Sequence, residues 1–417
     1  MSDHLIQRAG LLLQQRKFRE AENILSGLFA EDPANVHVLA LLCEVKLQQN
    51  MPKEALDLVN SAIGFDPSSD YLFYKRACVY IQLDKYNNAE KDLQQAINLQ
   101  PYESAYFALF ALLKLDRKEF EEARILAEKA LELDPANISA LNARSTALLK
   151  LNRKEESFST IQGALREDPD NAYTHANYGW GLLEKSSHKE ALNHFSIALQ
   201  KDPNLKLAQA GMAEALKARY FLYRLFLRYA FWMGNMKSKL QWIFIIGIFL
   251  GRYLLEALAE MFPPLNGLIT PLIIIIALFA FSTWVMTPLA NLFLRFNKYG
   301  KHLLSPDEMR SSNFVALSVL TALAGAILLP VMNTEAPLAM IVFGLTMMIP
   351  LSVMFRSVKS RKTLVAYTAV LAFLGVLAVT IAFVSNQLLN NVSMLYLLGV
   401  FIFQWVANYI LSREASK

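Results

Sequence analysis

The sequence predicts an all-α protein of 417 residues, in which an N-terminal solenoid of helical hairpins is followed by a bundle of about six transmembrane helices. Prolines recur at a fixed interval in the first half, and long apolar runs fill the second half. Residues 1–216 carry 24 Lys and Arg against 30 Asp and Glu, whereas residues 217–417 carry 17 against 6. The pI of 8.9 therefore describes neither half and does not indicate nucleic-acid binding.

The internal repeat is marked by six prolines, each 34 residues after the one before it. They are Pro33, Pro67, Pro101, Pro135, Pro169 and Pro203. Windows aligned on this period have small residues at their eighth and twentieth positions, which allows two helices to approach closely, and the proline ends the second helix. The pattern predicts six 34-residue helix-turn-helix repeats over residues 1–205.

This period and the segments 16–21 (RKFREA), 84–89 (DKYNNA) and 188–191 (HKEA) resemble the tetratricopeptide repeat. The resemblance covers residues 2–205. It implies an α-solenoid whose first helices line an inner groove, and an interaction with a protein or peptide partner.

Aromatic and amide side chains fall at the window positions that face such a groove. The candidates are Tyr71, Tyr74, Asn142, Thr146, Tyr173 and Trp180, together with Asn177 one residue further along its helix. Amides can hydrogen-bond the backbone of an extended peptide, and rings can cover its apolar side chains. The alternative is that these residues pack adjacent repeats against one another.

Residues 206–239 are predicted to cap the solenoid and to reach the membrane surface. One long helix is expected over residues 204–233, and its second part interleaves basic and aromatic residues as interfacial segments do. The basic residues expected to meet lipid headgroups are Arg219, Arg224, Arg228, Lys237 and Lys239. Membrane lipids are thus expected partners, and nucleic acid is not.

Residues 240–412 are predicted to form the membrane domain, followed by a short tail at 413–417. Apolar runs of spanning length lie at 240–262, 265–287, 314–333, 336–355, 364–384 and 393–411. Lys and Arg occur before the first run, between the second and third, and between the fourth and fifth, but not in the alternate connections. The positive-inside rule then places the repeats and both termini in the cytoplasm. The membrane is expected to be a plasma membrane, specifically a bacterial inner membrane. A capping box at Ser305 also predicts a short cytoplasmic helix.

Chemistry within the membrane is limited to Arg252 and Glu256, which lie one helical turn apart and are expected to form an ion pair. No catalytic motif, metal-ligand cluster or cofactor-binding motif occurs in the sequence. Cys43 and Cys78 have no partner motif and are expected to be buried packing residues.

The function that this organisation favours is a membrane-anchored scaffold or adaptor, which is not an enzyme and needs no cofactor. Its cytoplasmic groove would bind a protein segment, and its bundle would hold the complex at the membrane and allow homo- or hetero-oligomers. A transporter or channel subunit regulated by the repeats is the alternative, supported by Arg252 and Glu256. A membrane-embedded transferase acting on lipid-linked sugars ranks last, because few acidic residues are available for it.

Overall fold

The computed structural model describes residues 2–236, 238–295, 297, 300–356 and 359–415. These residues form twenty α-helices and contain no strand, which confirms the predicted all-α class. Contacts divide the chain into two compact units, Met1–Gly181 and Leu182–Lys417. Each unit is described separately below.

Six helix pairs follow one another at the constant interval that the prolines predict. In each pair a first helix of 13 residues and a second helix of 14 residues are joined by a short turn. The pairs are α1 (Ser2–Gln14) and α2 (Phe18–Glu31), α3 (Val36–Gln48) and α4 (Pro52–Phe65), α5 (Asp70–Gln82) and α6 (Tyr86–Leu99), α7 (Ser104–Asp116) and α8 (Phe120–Leu133), α9 (Ile138–Lys150) and α10 (Lys154–Glu167), and α11 (Ala172–Glu184) and α12 (His188–Lys201).

Small residues lie where the two helices meet in the first five pairs, as the sequence predicts. Ala21, Ala55 and Ala89 have no exposed surface. In the fifth pair, Ser145 and Ser157 occupy the two small positions. The Ser145 hydroxyl donates to the Ser157 carbonyl at 3.0 Å, and the Ser157 hydroxyl donates to the Ser145 carbonyl at 2.8 Å. Only small side chains allow the two helix backbones to come close enough for these hydrogen bonds.

Each turn between the two helices of a pair contains one residue with left-handed backbone geometry. Its φ lies between 57° and 69°, and the residues are Arg16, Asn50, Asp84, Lys118, Asn152 and Ser186. None of them is glycine, although this geometry costs an L-residue roughly 1–2 kcal/mol. Asn50, Asp84 and Asn152 tolerate this geometry, whereas Arg16, Lys118 and Ser186 adopt it against their local preference.

The second helix of each pair ends two residues before the proline of the repeat. In five repeats an aspartate precedes that proline, and its carboxylate accepts a hydrogen bond from the N–H two residues further on, at 3.0–3.2 Å. These aspartates are Asp32, Asp66, Asp134, Asp168 and Asp202. The carboxylate thus stabilises the turn that follows the helix, and the proline prevents the helix from continuing.

The second unit begins at Leu182, near the end of α11, and continues through α12 into α13 (Lys206–Lys217) and α14 (Phe221–Asn235). The single helix expected over residues 204–233 is therefore wrong, because the chain turns at residues 218–220. The Tyr223 hydroxyl meets the Glu214 carboxylate at 2.5 Å. In a straight helix these residues would lie about 13 Å apart along the axis, so the contact requires the turn.

Six further helices follow, and each contains a stretch long and apolar enough to cross a membrane. They are α15 (Ser238–Met261), α16 (Asn266–Leu294), α17 (Pro306–Leu328), α18 (Ala336–Val353), α19 (Arg361–Ser385) and α20 (Asn391–Ala415). The capping box at Ser305 is confirmed, since Ser305 and Glu308 bond reciprocally. The short separate helix is wrong, because α17 continues from Pro306 to Leu328 without a break.

The helices α17 and α18 approach one another most closely where glycine is present. A Cβ atom added at Gly344 would lie 2.6 Å from the Ala322 nitrogen, and one at Gly325 would lie 2.6 Å from the Pro337 carbonyl. The Ser318 hydroxyl donates to the Gly344 carbonyl at 2.6 Å. Small residues and a hydroxyl at the contact are typical of helix pairs in membranes.

Candidate functional site

Three tyrosines lie together on the first helices of the third and fourth pairs, and we call them the tyrosine cluster. The Tyr71 and Tyr74 ring centroids are 6.4 Å apart, and those of Tyr74 and Tyr106 are 5.1 Å apart. Exposure falls from 43% at Tyr71 to 4% at Tyr106. The cluster therefore presents an aromatic surface supported from beneath by a buried ring.

Charged groups border the tyrosine cluster and fix its geometry. The Lys75 ammonium lies 2.6 Å from the Glu44 carboxylate and 5.2 Å from the centre of the Tyr71 ring. The Tyr106 hydroxyl donates to Asp70 at 2.5 Å. Burial alone would lower the pKa of Lys75, but the hydrogen bond to Glu44 raises it above its usual value, so Lys75 is charged at neutral pH.

Burial also raises the pKa of the Tyr74 hydroxyl to about 12. This phenol thus remains a neutral hydrogen-bonding group at physiological pH. The cluster therefore combines rings and neutral hydroxyls with one cation and two carboxylates, a composition suited to the mixed surface of a peptide.

The predicted amide candidates lie in a second group, on α9 and α11. Asn142 is 1% exposed and donates to the Thr174 hydroxyl at 2.9 Å, while Asn177 donates to the side-chain amide oxygen of Asn142 at 2.9 Å. The Thr146 hydroxyl donates to the Asn142 backbone carbonyl at 2.9 Å. This group therefore joins two successive first helices, and its amides are largely engaged with one another.

Tyr173 and Trp180 lie on α11 with Asn177. Tyr173 is 44% exposed and Trp180 is half-buried. The seven candidates thus fall into two places, with Tyr71 and Tyr74 on α5 and the other five on α9 and α11. Peptide binding by either group stays a prediction.

The expected ion pair on α15 is formed. The Arg252 guanidinium lies 2.8 Å from the Glu256 carboxylate, and both side chains remain partly exposed, at 47% and 37%. The guanidinium also lies 5.7 Å from the centre of the Tyr253 ring.

The basic residues of the predicted interfacial segment lie on and just before α14. Arg219 and Arg228 are exposed, and Arg224 is half-buried with its guanidinium 6.0 Å from the Phe221 ring. Arg228 donates to the Ser186 hydroxyl at 2.8 Å. Lys237 lies outside the described residues, as does the side chain of Lys239.

Within the second unit, α13 and α14 contact α16 and carry a buried polar group that the sequence analysis did not identify. Lys217 is 2% exposed and pairs with Glu214, and its ammonium lies 5.2 Å from the Tyr223 ring. Tyr223 is 3% exposed, and its helix α14 contacts α16. Burial and the nearby Glu214 carboxylate raise the pKa of Tyr223.

An apolar cluster of Ala213, Leu294 and Leu304 lies beside this polar group. We call the two together the junction. In the sequence, Glu214 and Lys217 look like an ordinary surface pair at i and i+3, so no signal distinguished them.

Cys43 is buried as expected, Cys78 is half-buried, and both thiols are expected to be unreactive. Burial raises the pKa of Cys43 to about 12 and that of Cys78 to about 11. At pH 8 no more than about one thiol in a thousand would be a thiolate, which is the reactive form. We expect iodoacetamide to leave both unmodified during the time in which it alkylates an exposed thiol, as measured by intact mass spectrometry. Denatured protein, in which both should react, is the control, and rapid modification of the native protein would contradict the prediction.

No group of three or more His, Cys, Asp and Glu side chains that could hold a metal ion occurs among the residues described.

Comparison with known proteins concerns the repeats. Three tetratricopeptide-repeat family models match residues 12–77, 71–103 and 108–172. No curated protein matches the chain.

Several solved structures are similar to the chain. A tetratricopeptide repeat protein from Parabacteroides merdae is 17% identical over 52% of this chain and 84% of its own, with a TM-score of 0.46. PilF of Pseudomonas aeruginosa is 20% identical over 51% of this chain and 97% of its own, with a TM-score of 0.41. MamA of Desulfovibrio magneticus is 19% identical over 41% of this chain and 96% of its own, with a TM-score of 0.34. On the family models, an N-terminal segment of this chain is an array of tetratricopeptide repeats.

Proposed function

We propose that this protein is a membrane-anchored scaffold whose repeats bind a segment of a partner protein at the cytoplasmic face of a bacterial inner membrane. Tetratricopeptide arrays are typically interaction modules and not catalysts. The helices α15–α20 supply six apolar stretches of membrane-spanning length. An interaction module joined to such helices would hold its partner protein at the membrane surface.

The observation that carries the binding role is the tyrosine cluster. Tyr71 stays 43% exposed although the Tyr74 ring and the Lys75 ammonium both lie near its ring. Tyrosine is enriched among residues that dominate binding energy, because a rigid ring covers a large area at little entropic cost. Glu44 and Lys75 add one charge of each sign at its border. We infer that a partner segment lies across this surface and places an apolar side chain against Tyr71.

The proposed orientation is supported by the charges of the connections. Residues 295–310, from the end of α16 to the second turn of α17, contain Arg295, Lys298, Lys301 and Arg310, whereas residues 386–390 between α19 and α20 contain no Lys or Arg. Basic connections remain on the cytoplasmic side. The repeats and both termini would therefore face the cytoplasm, and Asn386 and its neighbours would face outward.

The binding role is tested by Tyr71→Ala in the full-length protein. Affinity purification from native membranes in mild detergent, with quantitative mass spectrometry, should show at least about a tenfold loss of a specific partner, since removing a central aromatic contact commonly costs about 2 kcal/mol or more. Tyr102→Ala is the matched control, because Tyr102 is 79% exposed and lies in the turn before α7. Equal partner recovery with both variants would refute the tyrosine cluster as the binding surface.

The orientation is tested with single cysteines at two exposed positions, Gln387→Cys and His302→Cys. In intact cells of a bacterial host, a membrane-impermeant maleimide should label the first and spare the second until the membrane is permeabilised. The shielded native thiols provide a low background. Labelling of the cysteine at 302 in intact cells would reverse the proposed topology.

A further inference from the structure

The helix α15 has an exposed face for which the rest of the described chain provides no partner. Among the side chains that the structure describes, none in its most apolar stretch is buried, whereas 11–56% of the residues are buried in the corresponding stretches of the other five apolar helices. Its large side chains are exposed, including Trp242 at 51%, Ile245 at 48% and Leu250 at 60%.

A seam of exposed residues follows this helix. Its members are Trp242, Ile245, Arg252 and Glu256, and their successive separations are three, seven and four positions. Because seven is one step of three plus one of four, these positions fit the alternating three-and-four spacing of a left-handed helix pair. Helices in membranes commonly pack with this left-handed geometry. Gly247 and Gly251, by contrast, lie five residues from Arg252 and Glu256 respectively, or about 140° around the helix. The seam is therefore defined by the large and charged residues and not by the glycines.

The ion pair in the seam argues that protein covers it. Arg252 and Glu256 satisfy one another at 2.8 Å, but 47% and 37% of their side chains remain exposed on a helix of membrane-spanning composition. Charged groups in hydrocarbon are costly and almost always face protein or water. Lipid chains offer neither a counter-charge nor a hydrogen bond.

We propose that this seam is the interface between two copies of the chain, related by a two-fold axis along the membrane normal. Such an axis places identical residues at equal depth, so each seam meets itself. Because Arg252 and Glu256 are one turn apart on the same side of the helix, each Arg252 can reach Glu256 of the second copy. The seam is thus complementary in charge to itself, and each partly exposed ion pair gains a second pair across the interface. The scaffold would then present two repeat arrays on one membrane.

This inference rests on the membrane location in the proposed function, and charge reversal tests it separately. The variant Arg252→Glu carries two acids in the seam, and Glu256→Arg carries two bases. Each variant breaks the pair within its own helix, so that only pairing between copies can restore an attraction. Copies with two different affinity tags would be coexpressed in membranes and purified on one tag, and the second tag quantified.

Wild-type copies should purify together. For each charge-reversed variant, the amount of the second tag recovered should fall by more than about tenfold, because like charges then face each other across the interface. Arg252→Glu coexpressed with Glu256→Arg should recover association, since two acids then meet two bases. Val370→Ala, at a position 58% exposed on α19, is the control that should associate as the wild type does.

Three results would overturn the interface: wild-type copies that do not purify together, single variants that associate normally, or oppositely charged variants that fail to recover association. Each variant must first partition with the membrane fraction and elute as one species. A chain that fails to reach the membrane at all would instead contradict the proposed function.

Discussion

The substitution Phe195→Ala is expected to lower the free energy of unfolding of the second unit by about 3–5 kcal/mol, the usual range when a fully buried phenylalanine is truncated. Phe195 on α12 has no exposed surface. Its ring lies against Gly211 on α13 so closely that a Cβ added there would be 2.2 Å from the ring. Alanine would leave a cavity that this rigid contact cannot close.

The effect should appear as a fall of roughly 10 °C in the midpoint of thermal unfolding of the full-length protein in detergent. Phe221→Ala is the matched control, since Phe221 begins α14 and is 70% exposed. If the two variants unfold at the same temperature, Phe195 does not hold α12 against α13.

The second large effect is expected from Asn142→Ala, which should destabilise the fifth and sixth helix pairs by about 2–3 kcal/mol, since it orphans buried polar groups. The side chain is 1% exposed, and its amide accepts from Asn177 and donates to Thr174, itself fully buried. Removing it takes this hydrogen bond from the buried Thr174 hydroxyl and from the half-buried Asn177 amide, and a buried group so orphaned costs about 1–3 kcal/mol.

Hydrogen exchange of α9 and α11 should become faster in this variant, because local opening precedes exchange. Ser139→Ala, at an exposed position on α9, is the control. Unchanged exchange together with reduced partner recovery would show that Asn142 acts in binding and not in packing.

The sequence carried most of the repeat architecture because that information is local and periodic. One proline in every period marked the helix ends, and two small residues per window marked the helix contacts. Information that depends on distant contacts was missed. Asn142 and Thr174 lie in successive repeats and meet only when the two repeats stack, so its window position alone could not show how deeply Asn142 is buried.

The same reasoning explains the errors at helix boundaries. Apolar and polar residues have the same helical period before and after residues 218–220, so the turn that Glu214 and Tyr223 require was invisible. The capping box at Ser305 was visible, but the length of α17 was not. Its polar first turns continue into an apolar span because nothing in residues 306–328 breaks the helix.

That the repeat domain ends at residue 205 stays a prediction. The contacts of α13 bear on whether a fragment ending there is suitable for experiments. In the second unit, α12 packs on α13, and α13 contacts α16. A soluble fragment ending at residue 205 would lack α13 and expose Phe195. Experiments on binding are therefore better made with the full-length chain.

The six left-handed turns bear on how this protein can evolve. Because the same backbone geometry recurs at the same place in every repeat, each repeat module closes on itself and needs only a neighbour of the same shape. Duplication or loss of one internal module, in frame, would change the number of recognition surfaces without altering Glu214, Lys217 or Tyr223. Partner choice and membrane attachment are thus free to diversify independently, by gene-level changes in copy number in the first case and by point substitution in the second.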